Sequence, residues 1–135
     1  MAVFVWSSSY DLGIESIDIQ HRALFDLLSN LHAALEENAN DLIKLRILEN
    51  LIHTCEVHFE YEYKIFIDNK YPYSKDHLKK HELLNKQAVE LLRNCSIGKI
   101  KIKRKEVEFM RDWLLKHIVV DDQKYAPFMI SKGVT

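Results

Sequence analysis

Apolar residues recur every three or four positions along most of the chain, a spacing that predicts amphipathic helices rather than strands. The first helix is expected from about residue 16, with Ser16 as its N-cap, to a turn at residues 38–40. The second runs from about 41 to 69 and ends before Pro72, which cannot continue a helix. The third begins near residue 74 and ends around residues 95–98, and the fourth covers roughly residues 103–119. Residues 1–13 form a non-helical arm, and Pro127 keeps the C-terminal tail from being one long helix.

Four amphipathic helices with short connections pack most simply as an antiparallel up-down-up-down four-helix bundle. The chain has 135 residues with only three Gly and two Pro, so long helices and one domain, residues 1–135, are expected. We therefore predict an all-α protein.

Composition excludes several functions. The net charge of -1 argues against nucleic acid or an anionic membrane as a partner, and no apolar window approaches the roughly 18 residues of a membrane span. The start, MAVFVWSSSYDLG, has no basic segment and only a short apolar run, so no signal peptide is expected. The two cysteines, Cys55 and Cys95, form no CxxC motif and suit a reducing compartment. These features predict a cytoplasmic protein.

The third helix carries two histidines on its apolar face. His77 and His81 in HLKKH are one turn apart, and Leu84, Ala88 and Leu91 continue the same stripe within about 40° on a helical wheel. Both imidazoles should therefore point into the bundle and could bind one metal ion. A buried histidine pair can also simply form hydrogen bonds. The choice between these two interpretations depends on whether the other helices supply further inward ligands.

The second helix supplies a matching pair in HFEYE. His58 and Glu62 are four residues apart on the stripe of Leu51 and Cys55, whereas Glu60 faces the opposite side. A buried carboxylate without a partner is costly, and this stripe offers no lysine to Glu62. Glu62 therefore needs a cation or another strong partner.

The remaining helices each contribute one inward histidine, His21 in IDIQH and His117 in WLLKHIVVDD. Asp121 would share the face of His117 in a regular helix, whereas Asp122 would be rotated by about 140°. Asp122 could join a site only if the helix ended or formed a π-bulge after His117. Helix geometry alone leaves the two aspartates undecided.

Five histidines and two carboxylates suggest a pair of metal ions. If both carboxylates and one solvent-derived oxygen bridge two metals, the histidines must divide three and two. His77, His81 and His117 would serve a six-coordinate ion, and His21 and His58 a five-coordinate ion with one open position. Nitrogen and carboxylate ligands without thiolate suit iron, although manganese, zinc and copper remain open.

Taken together, these motifs resemble the hemerythrin family, in particular its single-domain bacterial members. The resemblance covers nearly the whole chain. It includes the arm residues Trp6, Tyr10 and Gly13, the four histidine motifs, and Tyr125 three residues after Asp122. The family's final motif places an aspartate five residues after its histidine, so the resemblance selects Asp122 and implies a break in the fourth helix.

The resemblance implies two iron ions with a bridging oxo or hydroxo oxygen and reversible binding of O₂ at the five-coordinate iron. The implied ligands are His21, His58, Glu62, His77, His81, His117 and Asp122. Leu114 resembles the family's pocket leucine, and Phe25, Phe59 and Trp113 are candidates for the rest of the wall, or for plain core packing. His32, His53 and Cys55 are expected to lie outside the ligand set.

The leading hypothesis is O₂ storage, delivery or scavenging, without catalysis. One alternative is an O₂ or NO sensor that acts through an unknown partner protein, because the chain has no second domain as an output. Another is a di-iron oxidase, peroxidase or NO reductase. NO and small anions could also bind at the open position.

Overall fold

Between residues 5 and 135 the chain folds into four long α-helices and one short one. The computed structural model describes residues 5–135, and residues 1–4 of the predicted arm lie outside the described part. The long helices are α1 (Glu15–Glu36), α2 (Asp41–Asp68), α3 (Ser74–Ser96) and α4 (Arg104–Lys116), and the short one is α5 (Ala126–Ser131). Helix α1 packs on α2 and α4, and α2 packs on α3. Short connections join α1 to α2 and α2 to α3, and the predicted all-α bundle is confirmed.

Helix α1 begins earlier than the sequence predicts. Ile14 occupies the N-cap position, so Ser16 is the second helical residue and its assignment as the cap is wrong. The buried carboxylate of Asp18 explains the difference. It accepts hydrogen bonds from the backbone N–H groups of Leu12 (2.7 Å) and Gly13 (3.2 Å), which ties the incoming arm to the first turn. Gly13 has a φ of 87°, a conformation that favours glycine.

The predicted bounds of α2 and α3 agree with the structure. The side chain of Asn40 accepts a hydrogen bond from the N–H of Ile43 at 2.9 Å, as an N-cap residue should. Helix α2 ends at Asp68, before Pro72, and α3 begins at Ser74 as expected.

The fourth helix ends three residues before the predicted Val119. It continues as a π turn over His117–Asp121 and a 3₁₀ turn over Asp122–Lys124. The C-terminal tail is not one long helix, as expected, but it contains the short helix α5. Pro127 lies in the first turn of α5, where its missing N–H costs nothing.

Two apolar clusters lie on either side of a polar layer. One cluster includes Leu24 and Cys55, and the other includes Ile17 and Ile65. Along α1 the buried residues pass from Ile17 through His21 to Leu24, and along α2 they pass from Cys55 through His58 and Glu62 to Ile65. The histidines and carboxylates therefore occupy a section of the interior with apolar packing on both sides.

The described part of the arm is mostly non-helical, apart from a 3₁₀ turn at Ser8–Tyr10. The indole N–H of Trp6 donates to Asp11 at 3.0 Å, and the rings of Trp6 and Tyr10 pack on Phe25. Between residues 5 and 135, no helix combines the length and the apolar character needed to cross a membrane.

Candidate metal centre

The structure brings all seven predicted ligand residues together in the polar layer. None of their side chains is more than 6% exposed, and Glu62 and Asp122 are fully buried. His21 comes from α1, His58 and Glu62 from α2, His77 and His81 from α3, and His117 and Asp122 from the turns after α4. The one-turn spacing on α2 and α3 aligns each pair toward the same point.

The seven side chains form two overlapping groups, and within each group one ligand atom per residue lies within 4.8 Å of all the others. The first group contains Glu62, His77, His81, His117 and Asp122. The second contains His21, His58, Glu62 and Asp122. Both groups share the two carboxylates, so three histidines lie on one side and two on the other.

The shared carboxylates reach both groups with specific oxygens. Asp122 places Oδ2 at 3.0 Å from Nε2 of His21, and Oδ1 at 3.0 Å from Nε2 of His77. Oε1 of Glu62 lies 3.4 Å from Nε2 of His58 and 3.1 Å from Nε2 of His81. Each carboxylate therefore contacts histidines of both groups, Asp122 with a different oxygen toward each and Glu62 with Oε1 toward both.

The cluster contains buried polar atoms without satisfactory hydrogen bonds. They include Oε1 of Glu62, Nε2 of His77 and both carboxylate oxygens of Asp122. In addition, Nε2 of His21 lies 3.0 Å from Nε2 of His58, and only one of two such nitrogens can carry a hydrogen toward the other. Buried polar groups normally have partners, and metal ions would supply them here. The residues present therefore fit a metal centre.

The pKa values reflect this crowding of charge. Burial alone would raise the pKa of Glu62, but the neighbouring His58, His77 and His81 hold it well below its usual range. Burial also opposes protonation of His77, yet the neighbouring carboxylates of Asp122 and Glu62 raise its pKa to about 9. Burial dominates at His58, whose pKa falls to about 4. Imidazoles must be neutral to bind a metal, so a cation would take the place of the proton on His77.

Comparison with known proteins agrees with this geometry. The family model of the hemerythrin HHE cation binding domain matches residues 12–129. The chain belongs to the hemerythrin family. The bacteriohemerythrin of Stenotrophomonas maltophilia (strain R551-3) is 29% identical over 126 residues, covering 93% of this chain and 81% of the relative. That of Methylococcus capsulatus (strain ATCC 33009 / NCIMB 11132 / Bath) is 27% identical over 129 residues, covering 94% and 97%.

A crystal structure of wild-type hemerythrin superposes with a TM-score of 0.87 at 25% identity, over 93% of this chain and 97% of that one. The resemblance stated from the sequence is confirmed. Membership in the hemerythrin family implies a metal-binding site with histidine, glutamate and aspartate ligands.

The π turn explains how this hemerythrin-family chain distinguishes its two aspartates. A π turn contains more residues than an α-helical turn, so it moves the residue five positions after His117 back toward the face of His117. Asp122 thus enters the cluster with Oδ1 at 3.3 Å from Nε2 of His117, whereas Asp121 belongs to neither ligand group. The predicted helix break is confirmed.

Sequence reasoning missed the residues that contact the ligands from outside. The hydroxyl of the fully buried Tyr125 donates a short hydrogen bond to Oε2 of Glu62. Oε1 of Gln20 lies 2.5 Å from Nδ1 of His58. The motif that resembles the family includes Tyr125, three residues after Asp122, and this spacing could have indicated a role for it. Nothing in the sequence connects Gln20 with a histidine 38 residues away.

The four predicted pocket residues have different surroundings. The ring of Phe59 stacks on His81, with centroids 3.8 Å apart, and also packs edge-on against His117. Leu114 and Trp113 line an apolar cavity of about 340 Å³ between the helices, together with Leu28, Leu51 and Met110. Phe25 is buried and packs against Trp6 and Tyr10. Phe59 is thus beside the ligands, whereas Leu114 lines the cavity and precedes His117 by three residues in the chain.

The residues expected outside the ligand set are indeed outside it. His53 and Glu60 are exposed, and His32 lies near Glu36, with Nε2 and Oε1 3.5 Å apart. Cys55 is buried and lines the apolar cavity rather than the metal centre. Burial raises the pKa of the Cys55 thiol to about 12, which makes it a poor nucleophile.

Proposed function

We propose that this chain binds dioxygen reversibly at a centre of two iron ions held by His21, His58, Glu62, His77, His81, His117 and Asp122. The main support for this proposal is that the two shared carboxylates have three histidines on one side and two on the other. One group has three histidines and the other two, so a six-coordinate metal in the first would leave, in the second, a metal with a position that no protein side chain fills. Bound iron would supply the electrons for O₂ binding, and the five imidazoles and two carboxylates suit iron.

The protein's own contribution is to hold this position in dry, apolar surroundings. The ring of Phe59 packs against His58 of the four-residue group as well as against His81 and His117, and two apolar clusters enclose the polar layer. Exclusion of water and protons favours release of O₂ unchanged over its further reduction. We propose binding rather than catalysis, with Leu114 and Phe59 in the pocket wall, and with NO and small anions as competitors for the same position.

We further propose that residues 1–135 act as a single hemerythrin-like domain in the cytoplasm. Both cysteines are free, which supports a reducing compartment. Fractionation of cells with an antibody against the chain tests this location. Recovery outside the cytoplasmic fraction would contradict it.

The test of function is an oxygenation experiment. The chain is loaded with ferrous iron without air, its iron is counted, and its absorption is recorded before O₂, after O₂ and after O₂ removal. We expect two iron ions per chain and a charge-transfer band that appears with O₂ and disappears on its removal. A protein that binds only zinc, or a band that never reverses, would contradict the proposal.

Two variants make the test specific. His77→Ala removes a ligand of the five-residue group and should abolish the band while the helical circular dichroism is kept. His53→Ala is the matched control, because this exposed histidine lies on α2 outside the cluster. Steady consumption of NO or peroxide by the wild type would instead favour an enzyme.

A further inference from the structure

Asp121 lies outside both ligand groups but contacts one of the proposed ligands. Its Oδ2 is 3.2 Å from Nδ1 of His117. The other ring nitrogen of His117, Nε2, faces the centre, 3.1 Å from Nε2 of His81. A neutral imidazole that binds a metal through Nε2 carries its hydrogen on Nδ1. In that tautomer Nδ1 of His117 donates to Asp121.

Lys80 holds Asp121 from the other side. Its ammonium group donates to Oδ1 of Asp121 at 2.8 Å, so each carboxylate oxygen has its own partner. The side chain of Lys80 is 43% exposed, that of Asp121 15% and that of His117 3%. Lys80, Asp121 and His117 thus form a line of hydrogen bonds from the surface to the metal centre, between α3 and the π turn.

The other ligand group has a different kind of outer contact. Nδ1 of His58 meets the neutral amide oxygen of Gln20, whereas Nδ1 of His117 meets a carboxylate. A carboxylate that accepts from an imidazole N–H makes the opposite nitrogen a stronger electron donor than an amide does. His58 and His117 would therefore differ in donor strength toward a bound metal.

We propose that the Lys80–Asp121 pair is a positioning device that fixes the tautomer and ring orientation of His117 and strengthens its bond to iron. This proposal rests on the proposed function, because it concerns the same centre. Asp121 acts through His117 and contacts no metal itself. Lys80 orients the carboxylate so that Oδ2 faces the imidazole.

The test compares Asp121→Ala, Asp121→Asn and Lys80→Met in the full iron-loaded chain. The first measurement is the rate of iron loss to an excess of a ferrous chelator. Loss of such an outer contact typically weakens metal binding roughly 10–100-fold, and we expect Asp121→Ala to lose iron faster by that factor. Asp121→Asn should have a smaller effect, since its amide oxygen can still accept from Nδ1, and Lys80→Met a smaller one again.

The second measurement is the midpoint reduction potential of the iron centre. Removing the negative charge makes His117 a weaker donor and favours ferrous iron, so the potential should rise in Asp121→Asn. A purely structural role would not move the potential of this variant, which closely matches aspartate in shape. Glu36→Gln is the control. It weakens the exposed ion pair between Glu36 and Arg104, which lies outside the ligand groups, and should change neither measurement.

The outcomes separate this proposal from the proposed function. If the wild type binds no iron, the proposed function fails, and this proposal fails with it. If the wild type binds two iron ions but Asp121→Ala and Asp121→Asn keep its chelation rate and potential, only the positioning role is overturned. A fall in unfolding stability with an unchanged potential would also overturn it, because Asp121 would then merely stabilise the turn.

Discussion

Replacing Tyr125 with phenylalanine removes one hydroxyl group from the centre of the protein. Tyr125 and Glu62 are both fully buried, and the phenol donates to Oε2 of Glu62. Burial and the charges of Glu62 and Asp122 raise the pKa of Tyr125 well above its usual range, so the phenol keeps its proton. No water can replace the lost donor without entering the apolar cluster around Phe66 and Met129.

The size of the effect follows from the type of bond. A hydrogen bond to a charged group contributes about 1.5–3 kcal/mol, and phenylalanine keeps the ring packing. For a chain of 135 residues the unfolding entropy is about 0.3 kcal/mol per kelvin. Tyr125→Phe should therefore lower the free energy of unfolding by about 1.5–3 kcal/mol and the melting temperature by about 5–10 °C.

The assay is denaturant unfolding of wild type and variant at equal iron content, followed by circular dichroism. Tyr10→Phe is the control, because Tyr10 is only partly buried and packs through its ring on Trp6. We expect the control to change stability by less than about 0.5 kcal/mol. An equally small change in Tyr125→Phe would refute the conclusion that this hydroxyl stabilises the buried carboxylate.

Two further predictions concern the apolar cavity. Leu114→Ala should enlarge the apolar cavity that this side chain lines, lower the free energy of unfolding by about 2–5 kcal/mol, and shorten the lifetime of the O₂-bound form as water gains access. The decay of the oxygenated spectrum measures that lifetime, and an unchanged decay would show that Leu114 is not the barrier. Native Cys55 should react with iodoacetamide at pH 9 far more slowly than the partly exposed Cys95, because its pKa of about 12 leaves the thiol protonated. In the unfolded chain the Cys55 thiol has its ordinary pKa near 9.0, so it ionises at a lower pH than in the folded chain. The free energy of unfolding should therefore fall as the pH rises above 9. Peptide mass spectrometry measures the labelling, and equal rates would contradict the burial of Cys55.

Most of the fold could be predicted from the sequence because its determinants are local. Asn40 caps α2 with its own side chain, and Pro72 prevents α2 from continuing. Residues close to each end of α2 therefore determine where the helix begins and ends. The start of α1 could not be predicted in this way. The side chain of Asp18 reaches back to the N–H groups of Leu12 and Gly13, and this contact forms only when the arm folds against the helix.

In the candidate site, too, some features follow from local sequence and others depend on tertiary structure. Helical spacing placed His58 with Glu62 and His77 with His81 on inward faces, since those pairs lie one turn apart on regular helices. The choice between Asp121 and Asp122 could not be made from spacing, because it depends on a π turn. Such a turn replaces regular helical hydrogen bonds, and its cost must be offset by the contacts it permits.

The sequence alone therefore determined four amphipathic helices, their inward histidines and glutamate, and the resemblance to the hemerythrin family. Only the tertiary structure decided that Glu62 and Asp122 lie in both ligand groups, and that Gln20, Tyr125 and Asp121 contact the ligands from outside. The physical reason is distance along the chain. Periodicity reports which face of a helix is buried, but the partner of a polar side chain lies on another helix, and only packing brings the two together.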